Sequence, residues 1–517
     1  MKMRVLQKSI TCVLIVLISI STLSLFAGGA NETEGELTLD TTNINPDVMV
    51  DAPFDGWVQG LPRITAPEGF DWRQYEGVTL NFISENTTPS TAIAANIDLF
   101  TKVTGIEVNI EQADLSVVVE KVGLDINSKQ AKYALIYADP FQILAKNYKS
   151  FINLNTFEEN QYLPSIPGGL DDFITSQLEV CGYMGNKDNL YAVPYDSPTM
   201  LWGYRKDVFD KYKDLFMSEK GYDWTPSEDT TWDQYYEIAE WINEKVASGV
   251  ITEVTYGTGH QAAQYDSLMC DFSNVLSSYG GDWFSGTDLG NIGSVTVGKS
   301  TANTDKAIRA AEFYDKLLSI AAPGSSSWDW NGVSEAFAAS EIAMCPEWHE
   351  YSATWENPES SKVVGKVGWE ILPKGPEGRG NIYGGTGIAI SKYATQREQE
   401  AAWLFLVWAT SPQTQYAILK SDVGGSTPTR YSVYELEDVK NGMIAGTEES
   451  KAMPNLISTN AALKAWEAQN VYNRPKTPMW PQFDSIIYSE LSKMIAGQQS
   501  PEETMNIIAS KCDNLSD

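Results

Sequence analysis

Between Val78 and Asp139 short apolar runs alternate with longer amphipathic stretches, and this alternation restricts what the chain can become. "VTLNFIS" (Val78 to Ser84) has the length and composition of a strand. "STAIAANIDLFTKVTG" reads as a helix closed by Gly105, and "IEVNIEQA" as a second strand. A further helix is expected from Leu115 to Gln130, and "YALIYAD" is a continuous apolar strand ending at Asp139. Strand, helix, strand, helix, strand predicts a parallel α/β sheet with helices on both faces, because continuous apolar strands need cover on each side.

Later segments keep the style. "TTWDQYYEIAEWINEKVASG" carries a capping box in Thr231 and Gln234, apolar residues at 232, 235, 239, 242 and 246, and a closing Gly249. "QREQEAAWLFLVWAT" is more apolar and is expected to be more buried; Ser411 and Pro412 open the next helix. "SPEETMNIIASKC" repeats the device with Ser500, Pro501 and Glu503. At 517 residues the chain exceeds one ordinary core, so two domains or lobes are expected.

The first 27 residues read as an export signal: Lys2, Arg4 and Lys8, the apolar run Cys12 to Ile20, then small residues around "LFAGGA". That run falls below the ~20 residues that span a bilayer. Cleavage is expected near Gly28 or after Ala30, leaving an extracytoplasmic or periplasmic protein. A lipid-anchored start would want cysteine just after "LFA", where Gly28 stands. From Asn31 to about Gly77 the chain is rich in Asp, Glu, Pro, Gly and Thr, and residues 28–77 are expected to form an extension that clings in places to the folded body. The 68 acidic against 37 basic residues give a net charge of −31, so nucleic acid is not expected as a partner. Cys181, Cys270, Cys345 and Cys512 have spacings that fit no CxxC framework; both disulfides and buried thiols stay open.

The motifs "TGIEV", "LYAVPYD", "GYRKDVF", "TWDQYYEIA", "SYGGDWF", "AFAASEIAMCPEW", "GWEILPKGPEGRGNIYGGTGIAIS", "GGSTPTR" and "RPKTPMWPQF" occur in that order. Together they resemble the extracellular solute-binding proteins of carbohydrate ABC importers, the broad family that includes maltose-binding proteins, over roughly Val78 to Asp517. The resemblance implies a two-lobed periplasmic-binding-protein fold with hinge strands and an interlobe cleft. It places residues 78–195 with 372–430 in one lobe, and 196–371 with 431–517 in the other. It also implies a sugar or oligosaccharide ligand, membrane permease subunits as partners, a monomer, and no cofactor.

A sugar offers hydroxyls at its rim and C–H faces above and below, so its site needs polar side chains at the edge and rings against the face. Asp139 ends a strand where it could accept from two hydroxyls, or cap "PFQILAKN". Asp196 follows a strand that the resemblance makes a hinge, or serves the turn beside Ser197 and Pro198. Glu85 and Asn86 either reach the cleft or belong to an ordinary polar loop. The resemblance makes Trp348 an aromatic platform. Trp283, after two glycines, reaches the cleft or packs under its loop; Trp328 and Trp330 are cleft or surface rings. Gly384 and Gly385 bring backbone amides to a ligand, or permit a bend.

"EIAMCPEWHE" (Glu341 to Glu350) brings Cys345, Glu347, His349 and Glu350 together, yet lacks the paired spacing of a zinc site. It also lacks the third group that a Cys–His nucleophile needs. It is read as a strand that delivers Trp348, with no metal expected. The rival reading, a secreted carbohydrate-active enzyme, requires two carboxylates about 5 to 10 Å apart; no catalytic motif supports it. The same fold with a peptide, polyamine or other solute is the second alternative.

Overall fold

The computed structural model describes residues 39–421 and 427–516. The expected export signal lies outside them. The described chain opens with an antiparallel pair, β1 (Asn45–Asp51) and β2 (Thr65–Glu68). Next come β3 (Thr79–Glu85), β4 (Glu107–Ala113) and β5 (Leu135–Ala138), linked by α1 (Thr88–Thr104) and α2 (Leu115–Ser128). α1 forms as its sequence dictates. Thr87 accepts from the N–H of Ser90 at its start, and Gly105 ends it at φ 69°, a left-handed turn that glycine enters without strain.

Downstream lie β6 (Ala192–Asp196), β7 (Met200–Arg205), β8 (Tyr256–Thr258), β9 (Ile342–Trp348) and β10 (Val367–Glu370). The last strands are β11 (Asn381–Ile382), β12 (Thr386–Ile390) and β13 (Val471–Tyr472). Two larger sheets result, in the orders β4-β3-β5-β12-β6 and β10-β7-β9-β8, beside a short parallel pair of β11 and β13. β3 pairs parallel with β4 and β5, as expected, but β12 runs antiparallel to both β5 and β6. The parallel order expected for the strands between Val78 and Asp139 therefore holds, while β12, which follows β11 without a helical crossover, enters from the opposite end.

The first core gathers Phe82, Leu135, Ile136 and Ile388 under the helix Gln396–Ala409, whose Trp403, Phe405 and Trp408 are all buried. Phe405 meets Phe100 of α1 edge to face, centroids 5.4 Å apart. The segment ahead of β3 belongs to this core: Phe54, Phe70, Trp72 and Tyr75 are buried in it, and the Tyr75 hydroxyl donates to Glu400 at 2.8 Å. The second core takes in Leu372, Ile382 and Tyr383, so the chain returns to the first sheet only at β12.

Two connections between the sheets run side by side. Residues 197–199 and 383–385 are joined by a bridge between Thr199 and Tyr383, and by the Gly384 N–H donating to Pro198 O at 2.9 Å. On the outer face of the second sheet Trp355 stacks on Trp369, centroids 4.6 Å apart and planes within 7°. Gly203 of β7 makes the room: a Cβ there would sit 2.6 Å from the Trp355 ring. We predict that Gly203→Ala lowers unfolding stability by about 1–3 kcal/mol, the usual cost of overpacking. Urea unfolding checks this, and an unchanged midpoint would show that the ring pair shifts freely.

Candidate functional site

The ends of β3, β5 and β6 in the first sheet and of β9 in the second converge on one cavity of about 310 Å³, lined by Glu85, Asn86, Asp139, Asp196, Trp348 and Gly384. This is the carboxyl end of the strands, where open α/β sheets leave their ligand crevice. Six of the eight residues singled out from sequence therefore share one wall. Tyr137, Trp330 and Tyr351 add rings to it, and Asp266, Glu350 and Arg474 add charge. A neighbouring groove, also about 310 Å³, continues past Glu85, Asn86, Leu115, Trp330 and Asn331.

Each local sequence explains its placement. Asp139 fills both roles considered for it. Its Oδ1 accepts from the N–H groups of Phe141 at 2.9 Å and Gln142 at 2.6 Å, fixing the turn, and the same side chain lines the cavity. Asp196 ends β6 and accepts from the Thr427 N–H at 3.2 Å. Trp348 closes β9, whose seven residues are all buried. Gly384 supports it directly: a Cβ there would stand 2.5 Å from the Trp348 ring, so the indole lies on bare backbone.

Trp283 and Gly385 are not in the wall. Trp283 is 1% exposed and packs on Phe272, its indole N–H donating to Ser273 at 3.1 Å. Of the two glycines before it, Gly280 takes a left-handed turn at φ 74°. Gly385 makes room for Tyr383, whose hydroxyl would lie 1.9 Å from an added Cβ. Of the two tryptophans left open, Trp330 reaches the cavity, while Trp328 packs over Gly324 and Gly332.

Sequence reasoning did not single out Glu350, Asp266, Tyr137 or Arg474 as wall residues. Glu350 follows the strand that carries Trp348, so its place was readable in "PEWHE". Arg474 lies 126 residues beyond Trp348 and gave no local signal. Its guanidinium is buried, lying 4.2 Å over Phe141, with Nη1 3.5 Å from Asp266 Oδ2 and Nη2 donating to Tyr383 O at 3.4 Å. Gln142 completes this floor by donating to Asp266 at 3.3 Å and Asp484 at 2.8 Å.

The electrostatics follow from burying acids beside acids. Burial pushes Glu85 up to about 8, although the Tyr137 hydroxyl donates to it at 2.8 Å and favours the charged form. Burial raises Asp196 to about 6 against the N–H groups of Thr427 and Ser197. Glu350 faces Asp196 and is driven well above the carboxylate range by burial and then by repulsion from Asp196 and Glu85. The pair thus shares a proton at neutral pH. Burial also holds His349 neutral, near 4; its Nδ1 accepts from Thr199 N–H at 3.0 Å, and its Nε2 lies 3.0 Å from the Thr427 hydroxyl. His349 is therefore a strut between connecting segments. Among the described residues no group of His, Cys, Asp and Glu has the arrangement of a metal site, and the four cysteines are buried free thiols.

Known proteins share this architecture. The family model of the bacterial extracellular solute-binding proteins matches residues 84–416. Among curated relatives, a "Probable amino-acid ABC transporter periplasmic-binding protein" of Sinorhizobium fredii is 23% identical over 445 residues, covering 86% of this chain and 90% of the relative. Among solved structures, maltose-bound MalE3 of T. maritima superposes with a TM-score of 0.69 at 22% identity, covering 85% of this chain and 100% of that one. A ribitol complex of a solute-binding protein from Agrobacterium radiobacter gives 0.67 at 22% identity, covering 85% and 99%. The fold is accordingly the two-lobed periplasmic-binding-protein fold expected from sequence, and the chain belongs to the bacterial extracellular solute-binding protein family.

Proposed function

We propose that this chain is the receptor of an ABC importer for a sugar or polyol, that it is exported by the segment over residues 1–27, and that it delivers its solute to membrane permease subunits. One observation carries the reading: rings and acids from the strand ends of two separate sheets meet in a single cavity. The Trp348 and Trp330 rings suit C–H faces, and Glu85, Asn86, Asp139, Asp196 and Glu350 suit hydroxyls at the edge. The two sheets with their helices act as jaws that close on the solute, and no bond is made or broken. Maltose and ribitol in the structural neighbours agree with a polyhydroxyl ligand. The name of the Sinorhizobium relative points instead to amino acids. An amino acid's carboxylate would meet this acidic wall, and Arg474, the only cationic side chain among the described lining residues, already faces Asp266 and Tyr383 O.

Thermal unfolding against mono- and oligosaccharides, polyols, amino acids, peptides and polyamines tests the reading. A micromolar ligand at millimolar concentration adds about 4 kcal/mol of stability. We expect a sugar or polyol to do so and to be recovered unchanged. Cleavage of the ligand would make the protein an enzyme, and a shift with amino acids alone would retire the carbohydrate assignment.

Trp348→Ala removes a ring face and is expected to weaken binding at least tenfold while the circular dichroism stays native. Gly384→Ala should also weaken binding, because the added methyl displaces the indole. Full affinity in both would remove Trp348 from the site.

The empty cleft also has a pH signature. Glu85 at about 8 and Asp196 at about 6 lie above their ordinary values of 4.5 and 3.8, so the folded state keeps protons that the unfolded chain has released. Their contribution is complete below about pH 4 and is lost as pH climbs toward 8. Urea unfolding at pH 5 and 8 should show a smaller loss in Glu85→Gln than in the parent; equal losses would mean that Glu85 titrates normally.

A further inference from the structure

Three properties of the cavity wall exceed what a neutral polyol uses. The first is charge: Glu85, Asp139, Asp196, Asp266 and Glu350 face the space with a single guanidinium, and Arg474 is already turned to Asp266. The second is hydrogen-bond valence. A hydroxyl brings acceptors as well as a donor, whereas an ionised carboxylate only accepts, and a cation between Asp196 and Glu350 displaces the proton that they share. Apart from the proton that Glu350 shares with Asp196, its buried Oε2 has no hydrogen-bond partner in the protein. An ammonium brings three donors and no acceptor, which is the complement of such a wall. The third is aromatic: Trp348, Trp330 and Tyr351 surround the same space, and ring faces attract a cation more strongly once it is desolvated.

We propose that the solute carries a protonated amine along with its hydroxyls, as in an amino sugar or an aminated polyol, and that its ammonium lies between Glu350 and Asp196 beside the Trp348 ring. The proposal rests on the reading of the chain as a polyol receptor and narrows it. Asp196 belongs to the end of β6 in the first sheet, and Glu350 to the turn after β9 in the second. A cation between them is held from both jaws at once, so the charge that gives selectivity also favours closure. An uncharged hydroxyl at the same place offers one donor to the two carboxyl groups, where an ammonium offers three and a charge.

The test is calorimetric titration of the full chain with matched pairs: glucose against glucosamine, galactose against galactosamine, and sorbitol against its 1-amino-1-deoxy counterpart. N-acetylglucosamine supplies the same nitrogen without charge, and amino acids and putrescine serve as controls. The amine is expected to bind at least tenfold tighter than its hydroxyl partner, with the preference lost on acetylation. In Glu350→Gln, and separately in Asp196→Asn, the preference should drop to near parity, with folding verified by circular dichroism. Neutral members binding as well as their amines would overturn the ammonium site and leave the polyol receptor intact. Amino acids or putrescine binding without any polyhydroxyl compound would overturn both, and so would no binding by any member.

Discussion

The contact on which the cleft depends is the one between Trp348 and the backbone of Gly384. It brings the end of β9 against a connecting segment, and that segment is hydrogen-bonded to its neighbour through Pro198. Because no Cβ intervenes, a large flat ring is held on a surface that cannot rotate away. The ring's position, the course of residues 383–385 and the mouth of the cavity are therefore one geometric problem. Tyr383 and Gly385 solve the adjacent part of it in the same way, the missing side chain of one admitting the phenol of the other, which pairs with Ser197 at 2.9 Å.

Around that contact the protein maintains groups that an empty protein would do better without. Acids buried beside acids keep protons at neutral pH, and their neutral forms both donate and accept. Such a wall is ready for hydroxyls in either sense and for a cation when one arrives. Local strain of this kind, stored as unfavourable ionisation and not as bent backbone, belongs where a ligand relieves it. His349 shows the contrasting case: its neighbours satisfy both ring nitrogens, and it supports the connecting segments with no chemistry of its own.

The fold was largely legible because its signals are local. The end of α1 at Gly105, the capping box of Thr231 and Gln234, and the more apolar helix 396–409 all appear where the sequence put them. The antiparallel run of β12 was not legible, since the direction of a strand that arrives from another sheet leaves no mark in its own residues. In the site, acids at strand ends were found because a strand end is a readable place. Trp283 was misplaced because two preceding glycines free a backbone equally to turn outward or inward, and only the packing on Phe272 decides. Arg474 and Asp266 meet through the tertiary fold alone. The glycines at 384 and 385 were noticed, but their purpose, to be absent beneath a ring, needs the ring's coordinates.

The two parallel connections carry a mechanical consequence. Two segments tied together by an antiparallel bridge between Thr199 and Tyr383, and by the Gly384 N–H donating to Pro198 O, form a ribbon and not a thread. A ribbon bends readily about the axis across its width and resists twisting about its length. Any motion of one sheet against the other has to pass through this shared ribbon and not through two independent hinges.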